Sequence, residues 1–308
     1  MKLSMEAIQR TKLLLITLLT FSGLLIINDF TSAAGKTLYE KSFQANSGEL
    51  LNVSVSAGEI IVSSWDKNEV SVTVIGDEDV NEYLEFYFEK TDGGITVRTE
   101  KKSDRNSWFK SLKYKVEAKV PTNYNARLKT SGGDITLSKV TGEIELGTSG
   151  GDIAVMNSVG SLKASTSGGD VNAVNFQGSS VLKTSGGDID VQNNNGAVEA
   201  KTSGGDINLL VSNGKVSGAT SGGDIELSYT GSNDGIALST SGGDIELKLP
   251  TDFSANIKLK TSGGKAECKC ASVKVEEVSK SKFYGKLNNG GTDLICKTSG
   301  GSILVKNL

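Results

Sequence analysis

Histidine is absent from this 308-residue chain. That excludes Ser-His-Asp and Cys-His catalysis, His-ligated zinc, and the side chain that most often acts as a general base near neutral pH. Neither a Walker loop nor a dinucleotide-binding glycine fingerprint is present. Gly147 to Gly151 spells G-x-S-x-G, but Ser149 is one of nine equivalent repeat serines, and a hydrolase elbow needs a strand-turn-helix setting. A basic excess is missing too. Without residues 1–34, 30 Lys+Arg stand against 34 Asp+Glu, a balance of −4 that leaves no electrostatic footprint for nucleic acid. Aromatic residues amount to 6% of the chain; Trp65, Tyr83, Phe86, Tyr87, Phe88, Trp108 and Phe109 gather near the start, and only Phe176, Tyr229 and Phe253 fall between Thr130 and Thr261. Cysteine is limited to Cys268, Cys270 and Cys296.

One long apolar run exists, Leu13 to Ile27, behind the cations Lys2, Arg10 and Lys12 and ahead of the small residues Thr31-Ser32-Ala33-Ala34. This is the pattern of a secretory signal peptide over residues 1–34, and it predicts an exported protein in the periplasm, at the cell surface or outside the cell. An uncleaved N-terminal membrane anchor is the alternative; the run falls short of the roughly 20 residues that span a bilayer.

What the chain has in abundance is one short phrase. Thr-Ser-Gly-Gly begins at Thr130, Thr148, Thr166, Thr184, Thr202, Thr220, Thr240, Thr261 and Thr298; the first six copies are 18 residues apart, and the later intervals are 20, 21 and 37. The 37-residue gap has room for about two turns. A fixed short period marks a solenoid, whose repeats bury their apolar faces only against one another. Within each unit, apolar residues alternate: Ile135 and Leu137 after the first glycine pair, Ile144 and Leu146 in the second half. Spacing of two belongs to a strand with one buried face. The expected fold is therefore all-β: a single-stranded parallel β-helix (solenoid) with 18-residue coils, right-handed by the rule for parallel crossovers, with glycines at the corners.

Residues 35–123 are β-rich but irregular and read as an N-terminal cap with degenerate coils; residues 124–308 form the regular solenoid of TSGGDI repeats. A solenoid end must be covered or blunted. The chain stops soon after the last Thr-Ser-Gly-Gly, with no cap evident, so end-to-end self-association through an uncapped C-terminal coil is expected. Inside the irregular part, Arg105 and Lys110 flank Trp108-Phe109. Either this is an exposed aromatic and basic loop for a partner surface, or the rings fold back on the cap.

Asp134, Asp152, Asp170, Asp188, Asp206, Asp224 and Asp244 share one repeat position. Stacked at about 4.8 Å, neighbouring charges would repel by about 0.9 kcal/mol in water and about 3.5 kcal/mol at an effective dielectric of 20. Three readings remain open for the column: satisfaction by turn N–H groups and hydroxyls, helped by lysines that recur before the threonine (Lys129, Lys183, Lys201, Lys260, Lys297); a calcium site; or an acidic stripe for a partner. Apart from that calcium, no cofactor is called for. The threonines have inward parity, with methyls packed and hydroxyls bonding along the stack. Cys268 and Cys296 fall on inward positions, where they are either buried thiols or a disulfide across the core. Metal binding by C-x-C lacks a suggested fourth ligand.

Leu51-Asn52-Val53-Ser54-Val55, Gly58-Glu59-Ile60-Ile61-Val62, Val116-Glu117-Ala118-Lys119-Val120-Pro121 and the repeated Thr-Ser-Gly-Gly-Asp-Ile together resemble the bacterial putative-adhesin families, also called Toastrack-type domains. The resemblance covers about residues 45 to 308. It implies a parallel β-helix at the cell surface or in the periplasm, acting in adhesion or in sensing envelope stress. The leading expectation is a non-enzymatic envelope scaffold whose partner is a cell-surface, glycan or other envelope component. Its rivals are an envelope-stress ligand-sensing module and a β-helix polysaccharide-cleaving enzyme; uniform coils leave little room for the cleft of the last.

Overall fold

A computed structural model of the chain describes residues 35–102 and 112–308. These residues form 27 strands and a single helical turn, Val80–Tyr83, and the strands join into one open sheet. The strands that follow each Thr-Ser-Gly-Gly turn build one parallel ladder, and those that precede it build a second; Gln177, opposite Asn195, links the two. Helix is excluded for a local reason, since glycine, serine, threonine and β-branched residues fill every window.

The alternation sets the register. Ile135 lies opposite Ile153, then Val171, Ile189, Ile207, Ile225 and Ile245 follow in a single file. None of these side chains is more than 1% exposed. Ile144, Leu162, Ser180, Val198, Val216 and Ile236 form the facing file. Each buried aliphatic in these files contributes about 1.5–3 kcal/mol. A slip of one residue would expose an entire file, so the pairing is strongly specified.

Glycine is required at two corners of the 18-residue coils. A Cβ on Gly169 would lie 2.1 Å from the carbonyl oxygen of Gly151, in the coil next to it. At the opposite corner Gly160 has φ +128°, and a Cβ there would meet the Gly142 carbonyl at 2.1 Å. The 18-residue period thus carries both the apolar files and the places where backbone rests on backbone.

At both ends, order in the stack departs from order in the chain. Leu50–Ser54 lies between Gly94–Lys101 and Asn125–Lys129, and Glu59–Trp65 lies between Tyr114–Pro121 and Ile135–Ser138. Likewise Asp293–Lys297 lies between Ile236–Ser239 and Ala255–Lys260, and Ile303–Asn307 between Ile245–Leu249 and Ala266–Lys269. The first and last coils of the chain are each the second coil from an end.

This corrects the expectation of an uncapped C-terminal coil: the final strand is paired on both sides, which removes the premise for self-association through it. It also corrects the reading of the 37-residue gap. In place of two turns, that interval holds Ala266–Lys269, the antiparallel hairpin Val273–Val278 with Lys282–Leu287, and the return strand Asp293–Lys297. Period counting assumes that chain neighbours are stack neighbours, and here they are not.

The closing strands run antiparallel. Glu69–Gly76 pairs with Tyr114–Pro121, and Lys36–Gln44 covers its far side. Leu84–Thr91 pairs with Gly94–Lys101. Phe86 stands 5.3 Å from Tyr39 and 5.4 Å from Tyr114, ring centre to ring centre, and fills the space between them.

Candidate functional site

The Thr-Ser-Gly-Gly corner is the most regular polar feature of the stack. Thr148 Oγ1 donates to the Gly133 carbonyl at 2.9 Å and accepts the Gly151 N–H at 3.4 Å. The same pair of bonds recurs at Thr166, Thr184, Thr202, Thr220, Thr240, Thr261 and Thr298. The threonines are 3–8% exposed, so their hydroxyls serve the stack and not the solvent.

The aspartates are engaged as well. Asp152 N–H donates to Asp134 Oδ1 at 2.8 Å, and the step repeats through Asp170, Asp188, Asp206, Asp224 and Asp244 at 2.7–2.8 Å. A hydrogen bond to a charged group contributes about 1.5–3 kcal/mol. That offsets the repulsion of about 0.9 kcal/mol expected between solvated neighbours. The column then changes character: Ser302 N–H donates to Asp244 Oδ1 at 2.6 Å, and Lys265 N–H donates to Ser302 Oγ at 3.2 Å. At the other end Glu59 stands in the aspartate position, and burial, with Asp134 nearby, pushes its carboxyl above the usual range.

The lysines expected to neutralise these aspartates do other work. Lys129 pairs with Glu145 at 3.0 Å and Lys201 with Glu199 at 2.6 Å, both along the second ladder. Hydrogen bonding to Lys129 and Arg127 holds Glu145 below the ordinary carboxylate range. Lys260 and Lys297 have no carboxylate partner among the described residues and are exposed. They lie directly opposite one another, and Lys260 also lies opposite Lys282. This row was missed by sequence reasoning. Its signal was the lysine before the threonine, but Lys282 sits in no repeat.

A different polar file runs along the opposite corner. Asn157, Asn175 and Asn193 take φ of +52° to +58°, and their amides bond in sequence at 2.9 and 3.0 Å. With Gln177 and Asn195 they line an open depression of about 430 Å³. Three buried side-chain oxygens lack a partner among the described residues: Ser180 Oγ, which interrupts an aliphatic file, Asn194 Oδ1, and, in the N-terminal part, Asn81 Oδ1.

All three cysteines are free, so the Cys268–Cys296 disulfide is not formed. Cys268 faces Val305 in the first ladder, whereas Cys296 is buried in the second between Leu238 and Leu259. Burial raises the Cys296 thiol. A hydrogen bond from Cys270 lowers Cys268 to about 7. No group of three or more His, Cys, Asp or Glu side chains suited to a metal occurs among the described residues. Trp108, Phe109, Arg105 and Lys110, like the segment 1–34, lie outside the described residues. Among the described residues no helix is long and apolar enough to cross a membrane.

A family model described as Toastrack DUF4097 matches residues 49–218 and 210–306. Among solved structures, a putative adhesin from Bacteroides fragilis is 14% identical, with 89% of this chain and 99% of that chain covered and a TM-score of 0.45. A putative adhesin from Parabacteroides distasonis is 15% identical, with 89% and 98% covered and a TM-score of 0.28. A putative lipid binding protein from the same organism is 14% identical, with 88% and 96% covered and a TM-score of 0.29. No curated protein matches the chain.

Proposed function

The chain belongs to the Toastrack DUF4097 family, and from that premise we propose that it is a non-enzymatic, exported scaffold that presents a repetitive polar surface to a component of the cell envelope, in the manner of an adhesin. One observation carries this reading. The hydroxyls, carboxylates and glycine carbonyls of the repeat corner are bonded from coil to coil, which is what rigidity along a stack requires and leaves no side chain there poised for chemistry. In this proposal the coils wind as a single right-handed strand of 18 residues per turn. Residues 1–34 act as the export signal.

The alternative of a polysaccharide-cleaving enzyme needs long loops to wall a cleft. Between Ile135 and Val211 the strands follow one another with only short turns. The alternative of an envelope-stress sensor needs a small specific partner. A binding screen of the purified protein against envelope glycans, lipids and cationic peptides separates the three. The scaffold reading expects binding to an extended envelope component with no product released. Turnover of a polysaccharide, or a single peptide ligand without any glycan or lipid binding, would replace it with the enzyme or the sensor.

A further inference from the structure

Cysteine occupies the core-facing side of the last coil at two successive positions. In the first ladder Leu247 lies beside Val305, and Val305 beside Cys268; two residues on, Cys270 takes the same face. Two strands further in, the corresponding Leu247 and Leu249 are fully buried. Cys268 and Cys270 pack against the core but are only half-buried. Leucine would cover more apolar area at either place, so packing gives no reason for two thiols here.

Both thiols are within reach of solvent. Ala266–Lys269 is the outer strand of its ladder: it pairs with Ile303–Asn307, and no other strand pairs with it among the described residues. The charged side chains of the same segment, Lys265, Glu267 and Lys269, take the other face and pair with one another at 3.0 and 3.4 Å. The strand ends at Lys269. Ala271 N–H donates to Asn307 Oδ1 at 2.8 Å, and Ser272 turns the chain with φ +59°. Same-face neighbours on a strand stand about 6.4–6.8 Å apart, the upper end of the Cα separation that a disulfide spans. Cys270 lies just past the strand, where no pairing opposes the small movement that closes this distance.

The two thiols are unequal. A hydrogen bond from Cys270 lowers Cys268 to about 7, and the same bond, with burial, raises Cys270. An attacking thiol works best when its pKa is near the ambient pH, whereas a resolving thiol needs only to lie beside it. Cys296 is suited to neither task, being fully buried in the second ladder with its thiol raised by burial.

We propose that Cys268 and Cys270 form a dithiol–disulfide exchange site for small-molecule disulfides, with Cys268 attacking and Cys270 resolving. The Cys268 thiolate attacks one sulfur of R–S–S–R, the S–S bond breaks, and R–S⁻ departs and takes up a proton. Cys270 then loses its proton to solvent and attacks the Cys268 sulfur of the mixed disulfide, and the second R–S⁻ departs and is protonated. The dithiol gives up two electrons and two protons, and R–S–S–R becomes two R–SH. Exposed at the edge of the stack, the bridge is open to attack by a thiol, which reverses these steps. This goes beyond the scaffold reading and does not depend on it.

The test treats the reduced full chain with oxidised glutathione under native conditions, quenches with N-ethylmaleimide and reads the products by mass spectrometry. The parent should lose two hydrogens and retain no glutathione. Non-reducing digestion should show Cys268 bridged to Cys270 with Cys296 a free thiol, and reduced glutathione should restore the starting mass. Cys270→Ser keeps a hydroxyl beside Cys268 and should hold one glutathione there, at a rate that is half-maximal near pH 7. Cys268→Ser leaves Cys270 an ordinary thiol and should react at least about threefold more slowly at pH 7. A parent that does not react, glutathione retained by the parent, a Cys268–Cys296 bridge, or equal rates for the two serine variants would overturn the proposal. So would bridging that occurs only after denaturation. Digestion of the parent decides the pairing even where a variant fails to fold.

Discussion

The two ends of the stack solve one problem by different means. Both must cover a last coil, and both do so with antiparallel strands laid beside the coil that lies outside an intercalated pair. The N-terminal end is closed with volume. Tyr114 lies against the corner turn, so closely that a Cβ on Gly58 would lie 2.3 Å from its ring, and Phe86 and Tyr39 fill the remaining space. The C-terminal end is closed by one hairpin, Val273–Val278 with Lys282–Leu287, and keeps Val278 open to solvent. A blunted edge needs only to deter pairing, and charge suffices for that. Leaving aliphatics uncovered is not explained by blunting, and that is the difference between the two ends.

The comparison breaks most directly at its rings. Tyr114→Ala should cost about 3–5 kcal/mol in denaturant unfolding, because the ring is buried over the corner and against Phe86. Val278→Ala at the opposite end should cost less than about 0.5 kcal/mol. Equal losses would mean that the ends are covered alike.

Between the ends lies the repeated corner, which serves as the reference. Thr184→Val keeps the shape but strands the Gly169 carbonyl and the Gly187 N–H, and should cost about 1–3 kcal/mol. Thr261→Val, next to the C-terminal end, should cost no more than this if that end is the looser one. Thermal or urea unfolding of the two variants gives the answer.

A smaller effect separates the two ends of the aspartate column. The Glu59 carboxyl is raised by burial, so ionising it disfavours the folded state; that cost is present at neutral pH and absent once the pH falls below the ordinary carboxylate value. Glu59→Gln should therefore stabilise at pH 7, by less than about 1 kcal/mol once solvent screening is counted, and the gain should vanish in acid. Lys265→Gln should show the opposite trend, a small loss at neutral pH that fades in acid, because the hydrogen bond from Lys265 holds the Glu267 carboxyl below the usual range. Melting curves across the acid range distinguish them.

The smallest expected effect is that of calcium. Because each aspartate from Asp134 to Asp244 already gives one oxygen to a backbone N–H, melting temperature should be unchanged between chelator and millimolar calcium. A rise with calcium would assign the remaining oxygens to metal.

Much of the repeat was legible before any coordinates. The file through Ile135, Ile153 and Ile189 and the inward threonines follow from a period of 18 and an alternation of two, whereas for the aspartates the sequence left three readings open and the structure shows them accepting turn N–H groups. The lysine pairing did not follow. Lys129 and the aspartates share a turn in the sequence, but Glu145 sits on the adjoining strand and is nearer. Nor did the lysine row, whose members are drawn from a repeat, a decayed repeat and a hairpin.

Periodicity by itself determined which residues are inside and where glycine stands at a corner, because those properties depend only on a residue's place within its coil. Tertiary structure decided which coil lies on which. A strand of this kind can pair with any other of matching alternation, so the order 94–121, 50–65, 125–138 at one end and 236–249, 293–307, 255–269 at the other is written in no local pattern. It is chosen by the closing strands, which must cover the exposed edge, and it is this choice that brings Lys297, Lys260 and Lys282 side by side.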